Sequence, residues 1–150
     1  MYRVLFLLLA TLLYLPLVNA DNGLIKAKSP YTVDETLDRF EAAVTNKGMT
    51  IFTRIDHAAG AAKVGKELPP TVVLVFGNPA IGSLLMQSKQ TVAIDLPLKL
   101  LVWEDDSGQV WITYNDPDYL VKRHAITDRA PVVEKMRKAM SDFTAAAIAK

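Results

Sequence analysis

Apolar and polar residues alternate along this chain with two different periods, and the change of period separates predicted helices from predicted strands. Thr32 and Glu35 form a capping box that begins a helix, and apolar residues then recur at helical spacing until Gly48. From Met49 to Asp56 the period is two, and β-branched residues are frequent. The pattern therefore predicts a helix followed by a strand, with a shorter strand around Leu24 before them.

The second half of the chain adds three strands and a long helix. Thr71–Phe76 is a continuous apolar run, as expected of a central strand. Leu98–Glu104 and Gln109–Tyr114 are joined by a polar turn with a glycine, which predicts a hairpin. From Ala130 onward an apolar stripe recurs at helical spacing against a charged face, so this amphipathic helix should pack on the sheet. The segment Gln90–Pro97 favours neither the helical period nor the strand period of two.

Three turns predict helix starts, because each places a capping side chain at the end of a strand. Asp56 follows one strand, Asn78 precedes Pro79, and Asp116 precedes Pro117. Asn and Asp accept hydrogen bonds from free helical N–H groups, and proline suits the first helical position. The order of strands and helices predicts an α+β domain with a mostly antiparallel sheet.

The first 20 residues have the pattern of a secretory signal peptide. Arg3 precedes the apolar run Val4–Leu17, and Val18-Asn19-Ala20 resembles a cleavage site. A spanning helix needs about 20 apolar residues, and this run is shorter and contains Pro16. We therefore expect residues 1–20 to be cleaved, residues 21–150 to form a single domain in the periplasm or secreted, and no stable membrane anchor to remain.

Charge and cysteine content exclude several classes of function. The 17 basic residues include Arg3, so without the leader the basic and acidic residues balance at 16 each. A neutral domain is not a nucleic-acid binder by bulk electrostatics. The absence of cysteine excludes disulfides, thiolate metal sites and thiol nucleophiles.

Several spaced blocks of the sequence resemble the DUF302 family, a family of unassigned function. The resemblance runs from about Lys26 into the last helix. It implies a fold similar to the TATA-binding protein, with a curved, mostly antiparallel sheet of about five strands and helices on one face; it implies no activity. The blocks that carry it are Arg54–Ala61, Phe76–Pro79, Asp95–Lys99, Trp103–Asp105 and Tyr114–Pro117.

The candidate ligand-binding residues lie at turns, where scaffolds often place recognition groups. They are Asp56, His57, Asn78, Asp95 and Asn115. His57 beside Asp56 could act in proton transfer, and Asp95, an acid between apolar residues, should be partly buried and need a partner. We considered Lys99, His57 and the backbone donors at the Asn78 turn as that partner, and an aspartate that orders its own turn as the alternative.

The spacing of the two histidines, His57 and His124, favours no metal site, since they form neither an H-x-H nor an H-x-x-x-H pair. We assign no metal ligands, and no cofactor follows from the sequence. His124 is predicted to lie near a helix C-terminus, where the helix dipole stabilises a cation, so its position needs no further function.

The sequence-based expectation for function is an exported soluble module that binds a small ligand or a partner near His57, Asn78 and Asp95. A homodimer through an exposed sheet edge or face is part of this expectation. The alternatives are a hydrolase-like or isomerase-like enzyme that uses His57 with a carboxylate, and a transition-metal protein that uses histidine and aspartate.

Overall fold

The structure is a computed structural model that describes residues 22–150. The predicted leader, residues 1–20, and the expected start of the mature chain at Asp21 lie outside the described residues.

A single antiparallel sheet of five strands forms one layer of the domain. The strands lie in the order β1-β5-β4-β3-β2, so β1 and β2 are the two edges. Every neighbouring pair is antiparallel. The strands are β1 (Leu24–Ser29), β2 (Thr50–Asp56), β3 (Thr71–Gly77), β4 (Leu98–Glu104) and β5 (Val110–Asn115).

Helices form the second layer, and the predicted α+β class is confirmed. The helices are α1 (Val33–Asn46), α2 (His57–Ala62), α3 (Pro79–Ser88), α4 (Pro117–Arg123) and α5 (Ala130–Ile148), with a 3-10 helix at Gln90–Ile94. The stretch Gln90–Pro97, which had neither period, is this 3-10 helix followed by a cis Leu96-Pro97 bond.

The main core lies between the sheet and helices α1 and α5. Strand residues alternate between the core and the opposite face, and Val72, Leu74 and Phe76 of β3 bury their side chains in the core. Phe40 of α1 lies at the centre with its ring edge-to-face against Phe76 and Phe143, at centroid distances of 5.3 and 5.9 Å. The stripe predicted for α5 is confirmed, because Val133, Met136, Met140, Phe143 and Ala147 are all buried.

The β4–β5 hairpin confirms the predicted pairing of the two tryptophans. Trp103 lies directly opposite Trp111, and their rings are stacked at 6.5 Å. The indole N–H of Trp111 donates to Asp105 Oδ2 in the turn, at 2.8 Å. These aromatic residues stabilise the hairpin through cross-strand packing.

The edge strand β2 is mostly exposed. Its register with β3 shifts between Ile51 and Thr53, and its apolar residues Phe52 and Ile55 are about half exposed. A shift of this kind twists an edge strand and hinders further strand pairing. The homodimer through a sheet edge or face stays a prediction.

The last turn of α5 is held by side chains from the start of the domain. Arg39 Nε donates to the carbonyl oxygen of Ala147 at 2.9 Å, and Tyr31 donates its hydroxyl to that of Ala149. The guanidinium of Arg39 also lies over the Tyr31 ring, 4.2 Å from its centroid. Carbonyl groups that a helix leaves unpaired at its C-terminus are thereby satisfied.

Candidate functional site

An apolar groove of about 860 Å³ lies between the helices and one edge of the sheet. Its walls come from α1, α3 and α5, and residues of β2 and of the segment around Pro97 complete it. Buried side chains such as Leu85 and Phe143 form its base, whereas Phe52 at the margin is 50% exposed. The groove therefore presents apolar surface to solvent beside an edge of the sheet.

Methionine side chains contribute to the apolar lining of this groove. The four methionines that follow Met1 all line it: Met49, Met86, Met136 and Met140. Met136 and Met140 lie one turn apart on α5, and Met86 faces the groove from α3. Because methionine is unbranched and polarizable, such a surface can adapt to apolar partners of different shapes.

The polar margin of the groove is positively charged. Lys47, Lys135 and Lys138 line it together with a single carboxylate, Asp142. Lys138 Nζ lies 2.8 Å from Asp142 Oδ2, so these two charges pair within α5. Within residues 22–150 no ion pair involves Lys47 or Lys135. Two cations therefore remain to attract an anionic group.

Asn78 lies at this groove, where it also begins α3 as predicted. Its side-chain oxygen accepts a hydrogen bond from the Ala80 N–H at 2.9 Å, and Pro79 is the first helical residue. The side-chain oxygen is thus engaged in capping. The role of Asn78 as a ligand-binding residue stays a prediction.

Asp95 is partly buried and has partners, as expected, but the main partner was missed. Its Oδ2 lies 2.6 Å from His124 Nε2, and its Oδ1 accepts from Arg123 Nη1 at 3.3 Å. The other ring nitrogen of His124 lies 3.1 Å from the Thr91 hydroxyl. The side chains of His124 and Asp95 are only 7% and 13% exposed.

The partners that we considered for Asp95 are therefore corrected. Lys99 approaches this turn, but its ammonium donates to the backbone carbonyl of Asp95 at 3.2 Å rather than to the carboxylate. The carboxylate instead joins the loop before β4 to the C-terminal end of α4. The only signal in the sequence was an acid between apolar residues, which predicts burial but does not identify a partner 29 residues away.

Asp56 and His57 lie at the opposite end of the sheet from Asn78. In the β2–β3 register Asp56 pairs with Val72, whereas Gly77, next to Asn78, pairs with Thr50. A strand rises about 3.3 Å per residue, so about 17 Å separate Val72 from Gly77. The prediction that His57 shares a pocket with Asn78 and Asp95 is therefore wrong.

The remaining candidate turn residues lie at the ends of strands β2 and β5. Asp56 accepts from the Ala59 N–H at 2.8 Å and caps α2, and His57 is an exposed residue of that short helix. Asn115 ends β5 opposite Leu24 of the edge strand β1. Their roles as ligand-binding residues stay predictions. In residues 22–150 no cluster of three His, Cys, Asp or Glu side chains is placed to hold a metal ion.

The fold resembles that of a known structure. A crystal structure described as an uncharacterized conserved protein DUF302 from Bacillus stearothermophilus has a TM-score of 0.75 to this chain. The match covers 84% of this chain and 98% of that one, at 19% sequence identity. At this identity the likeness concerns the fold.

The family model for DUF302, a domain of unknown function, matches residues 25–143. The chain belongs to the DUF302 family. The resemblance found in the sequence is thereby confirmed, and the matched range contains β2 to β5, all of β1 except Leu24, and most of α5.

Curated relatives of this DUF302 chain are named as channels. The fluoride-specific ion channel FluC 1 of Brucella suis biovar 1 (strain 1330) is 49% identical over 106 residues, which are 71% of this chain and 42% of the relative. The FluC 1 protein of Brucella abortus biovar 1 (strain 9-941) is also 49% identical, over 39% of its length. The chain thus spans about two fifths of the length of these relatives.

These names contradict the function expected from the sequence, an exported soluble module that binds a small ligand or a partner. Relatives at 49% identity are named as fluoride-specific ion channels, which overturns the expectation of a soluble ligand-binding module. A role as a periplasmic or secreted ligand binder conflicts with the same names, whereas the location of the domain stays a prediction. The turn residues gave a weak signal for ligand binding, because Asp56 and Asn78 cap helices and Asp95 pairs with His124.

No helix within residues 22–150 combines the length and the apolar character that crossing a bilayer requires. The longest, α5, has 19 residues and an alternation of charged and apolar positions.

Proposed function

We propose that this DUF302 chain takes part in fluoride transport across a membrane, as a folded domain that works beside the ion-conducting part of a channel. The observation that carries the proposal is the 49% identity to proteins named fluoride-specific ion channels. Only 21 residues precede the described part of the chain, so most of the 106 matched residues belong to the folded domain.

The extent of the match supports a role beside the pore rather than as the pore. The relatives contain about three fifths of their length outside the match. A conducting path through lipid needs membrane-spanning helices or a closed barrel, because backbone polar groups must be satisfied inside the bilayer. We infer that the unmatched part of the relatives supplies that path, while the DUF302 domain assembles with it or regulates it.

The side of the membrane on which the domain works depends on the predicted leader. A cleaved leader would place the domain on the outer side, in the periplasm or beyond it. That location remains a prediction.

Fluoride release from cells tests this proposed function. We expect cells of the source organism that lack this chain to retain more fluoride after loading than the parent strain, with release restored by expression of the intact chain. A fluoride-selective electrode measures the release, and chloride release under the same conditions is the control. Equal fluoride release with and without the chain would contradict the proposal.

A further inference from the structure

We propose that the methionine-lined groove binds an amphipathic helix of the channel, with the apolar face of that helix against the methionines and an acidic group near Lys47 and Lys135. This inference rests on the proposed function, because it names the partner of the domain within a fluoride channel.

The shape and chemistry of the groove suit the side of a helix. Three helices and an edge of the sheet surround an apolar space of about 860 Å³ that opens to solvent at Phe52. Amphipathic helices bind in such grooves through apolar side chains at spacings of three and four residues. Flexible methionine side chains adjust to the packing of the incoming residues.

Charge complementarity specifies the polar part of the partner. Lys138 is paired with Asp142, whereas no ion pair within the described part of the chain involves Lys47 or Lys135. These two cations come from different helices, because Lys47 lies just after α1 and Lys135 lies in the first half of α5. An aspartate or glutamate on the polar face of the bound helix would meet a positive margin, which favours one orientation.

The length of the relatives argues for a segment of the channel as the occupant. In those proteins the region similar to this chain belongs to the same polypeptide as the remaining three fifths. In those relatives, covalent connection gives such a segment a high effective concentration at the groove, so that even a weak helix–groove contact would be populated there.

Single-cysteine variants test the proposal, because the natural chain contains no cysteine and labelling is therefore specific. Met86→Cys places an environment-sensitive fluorophore in the groove, and Asp106→Cys places it on the exposed β4–β5 turn as the matched control.

The probes are synthetic peptides of about 20 residues, each about 30 Å long as a helix, from the unmatched part of the Brucella suis relative. Dodecanoate and phosphatidylglycerol vesicles are the lipid probes.

The expected result is a saturable fluorescence change at position 86, and none at position 106, with a peptide that carries an acidic residue beside an apolar helical face. No saturable response at position 86 to any peptide would overturn the proposal. So would equal responses at the two positions, or a response at position 86 to dodecanoate or vesicles alone, which would assign the groove to lipid.

Charge reversal provides a second, independent readout of the same groove. We expect Lys47→Glu with Lys135→Glu to weaken binding of that peptide by about tenfold or more, which corresponds to about 1.4 kcal/mol. The matched control is Lys66→Glu with Lys122→Glu, which changes the net charge equally at exposed positions outside the groove and should leave binding within about twofold. Equal weakening by both pairs would overturn the charge assignment.

The two proposals can fail separately. If fluoride release depends on the chain but no peptide binds the groove, helix docking is wrong and the role in transport stands. If a peptide binds but fluoride release is unchanged without the chain, the role in transport is wrong. The bound helix would then not belong to a fluoride channel on which this domain acts.

Discussion

At the scale of single residues, the polar side chains of this domain mostly stabilise their own turns. Asp105 shows this clearly, because its carboxylate accepts from Ser107, Gln109 and the Trp111 indole within one hairpin turn. The hydroxyl of Ser107, followed by the indole of Trp111, lowers the pKa of Asp105 to about 2 from its ordinary value of 3.8. The hydrogen bonds that lower this pKa stabilise the folded state only while Asp105 is ionised.

The Asp105 carboxyl group therefore predicts a specific dependence of stability on pH. Its pKa is lower in the folded than in the unfolded state, so its contribution is complete above about pH 4 and is lost as the pH falls through about 2. We expect Asp105→Asn to remove this part of the pH dependence of unfolding, measured by tryptophan fluorescence in urea. Parallel pH profiles of the natural chain and the variant between pH 4 and pH 2 would contradict the assignment.

At the scale of secondary-structure elements, capping residues explain where the helices begin. Thr32 and Asn78 each accept a hydrogen bond from the first turn of the helix that follows, as the sequence predicts. Asn78 matters most here, because the helix that it begins forms one wall of the groove.

We expect Asn78→Ala to lower the free energy of unfolding by about 1 kcal/mol, the usual cost of a lost N-cap. Asn78→Asp should retain most of the stability, because a carboxylate also accepts from the helix N-terminus and favours its dipole. Urea unfolding measures both variants. Equal destabilisation by Ala and Asp would show that capping is not the role of this side chain.

The elements could be predicted from the sequence because their signals are local. The stripe of α5 repeats within one helix, and the β4–β5 hairpin depends on a short turn, so both predictions are confirmed. The pair of Asp95 with His124 joins two segments that are distant in the chain, and no local pattern specifies it. The groove likewise requires the relative positions of α1, α3 and α5, which a periodic pattern in one helix does not contain.

At the scale of the whole molecule, the main hydrophobic core is the layer of apolar residues between the sheet and its two long helices. Phe40 lies fully buried at the centre of this layer, in contact with the rings of Phe76 and Phe143. Phe52 has the same chemistry but is half exposed on the edge strand. Phe40 therefore represents the core, and Phe52 represents the margin of the groove.

Phe40→Ala should cost about 3–5 kcal/mol of unfolding free energy, because it leaves a cavity among residues from the sheet and both helices. Phe52→Ala, the matched change at the margin, should cost about 1 kcal/mol or less. Urea unfolding followed by circular dichroism compares them. Similar losses for both variants would mean that the core does not lie where the structure places it.

The contacts that Tyr31 and Arg39 make with the end of α5 have a mechanical consequence. The carbonyl oxygen of Ala147 accepts from Arg39 in the middle of α1, and that of Ala149 accepts from Tyr31 just before α1. A pulling force on the last residues would therefore pass directly into α1 and the adjoining sheet. Stretching the chain from that terminus should then produce one abrupt rupture of the entire domain, instead of gradual unwinding of the final turn.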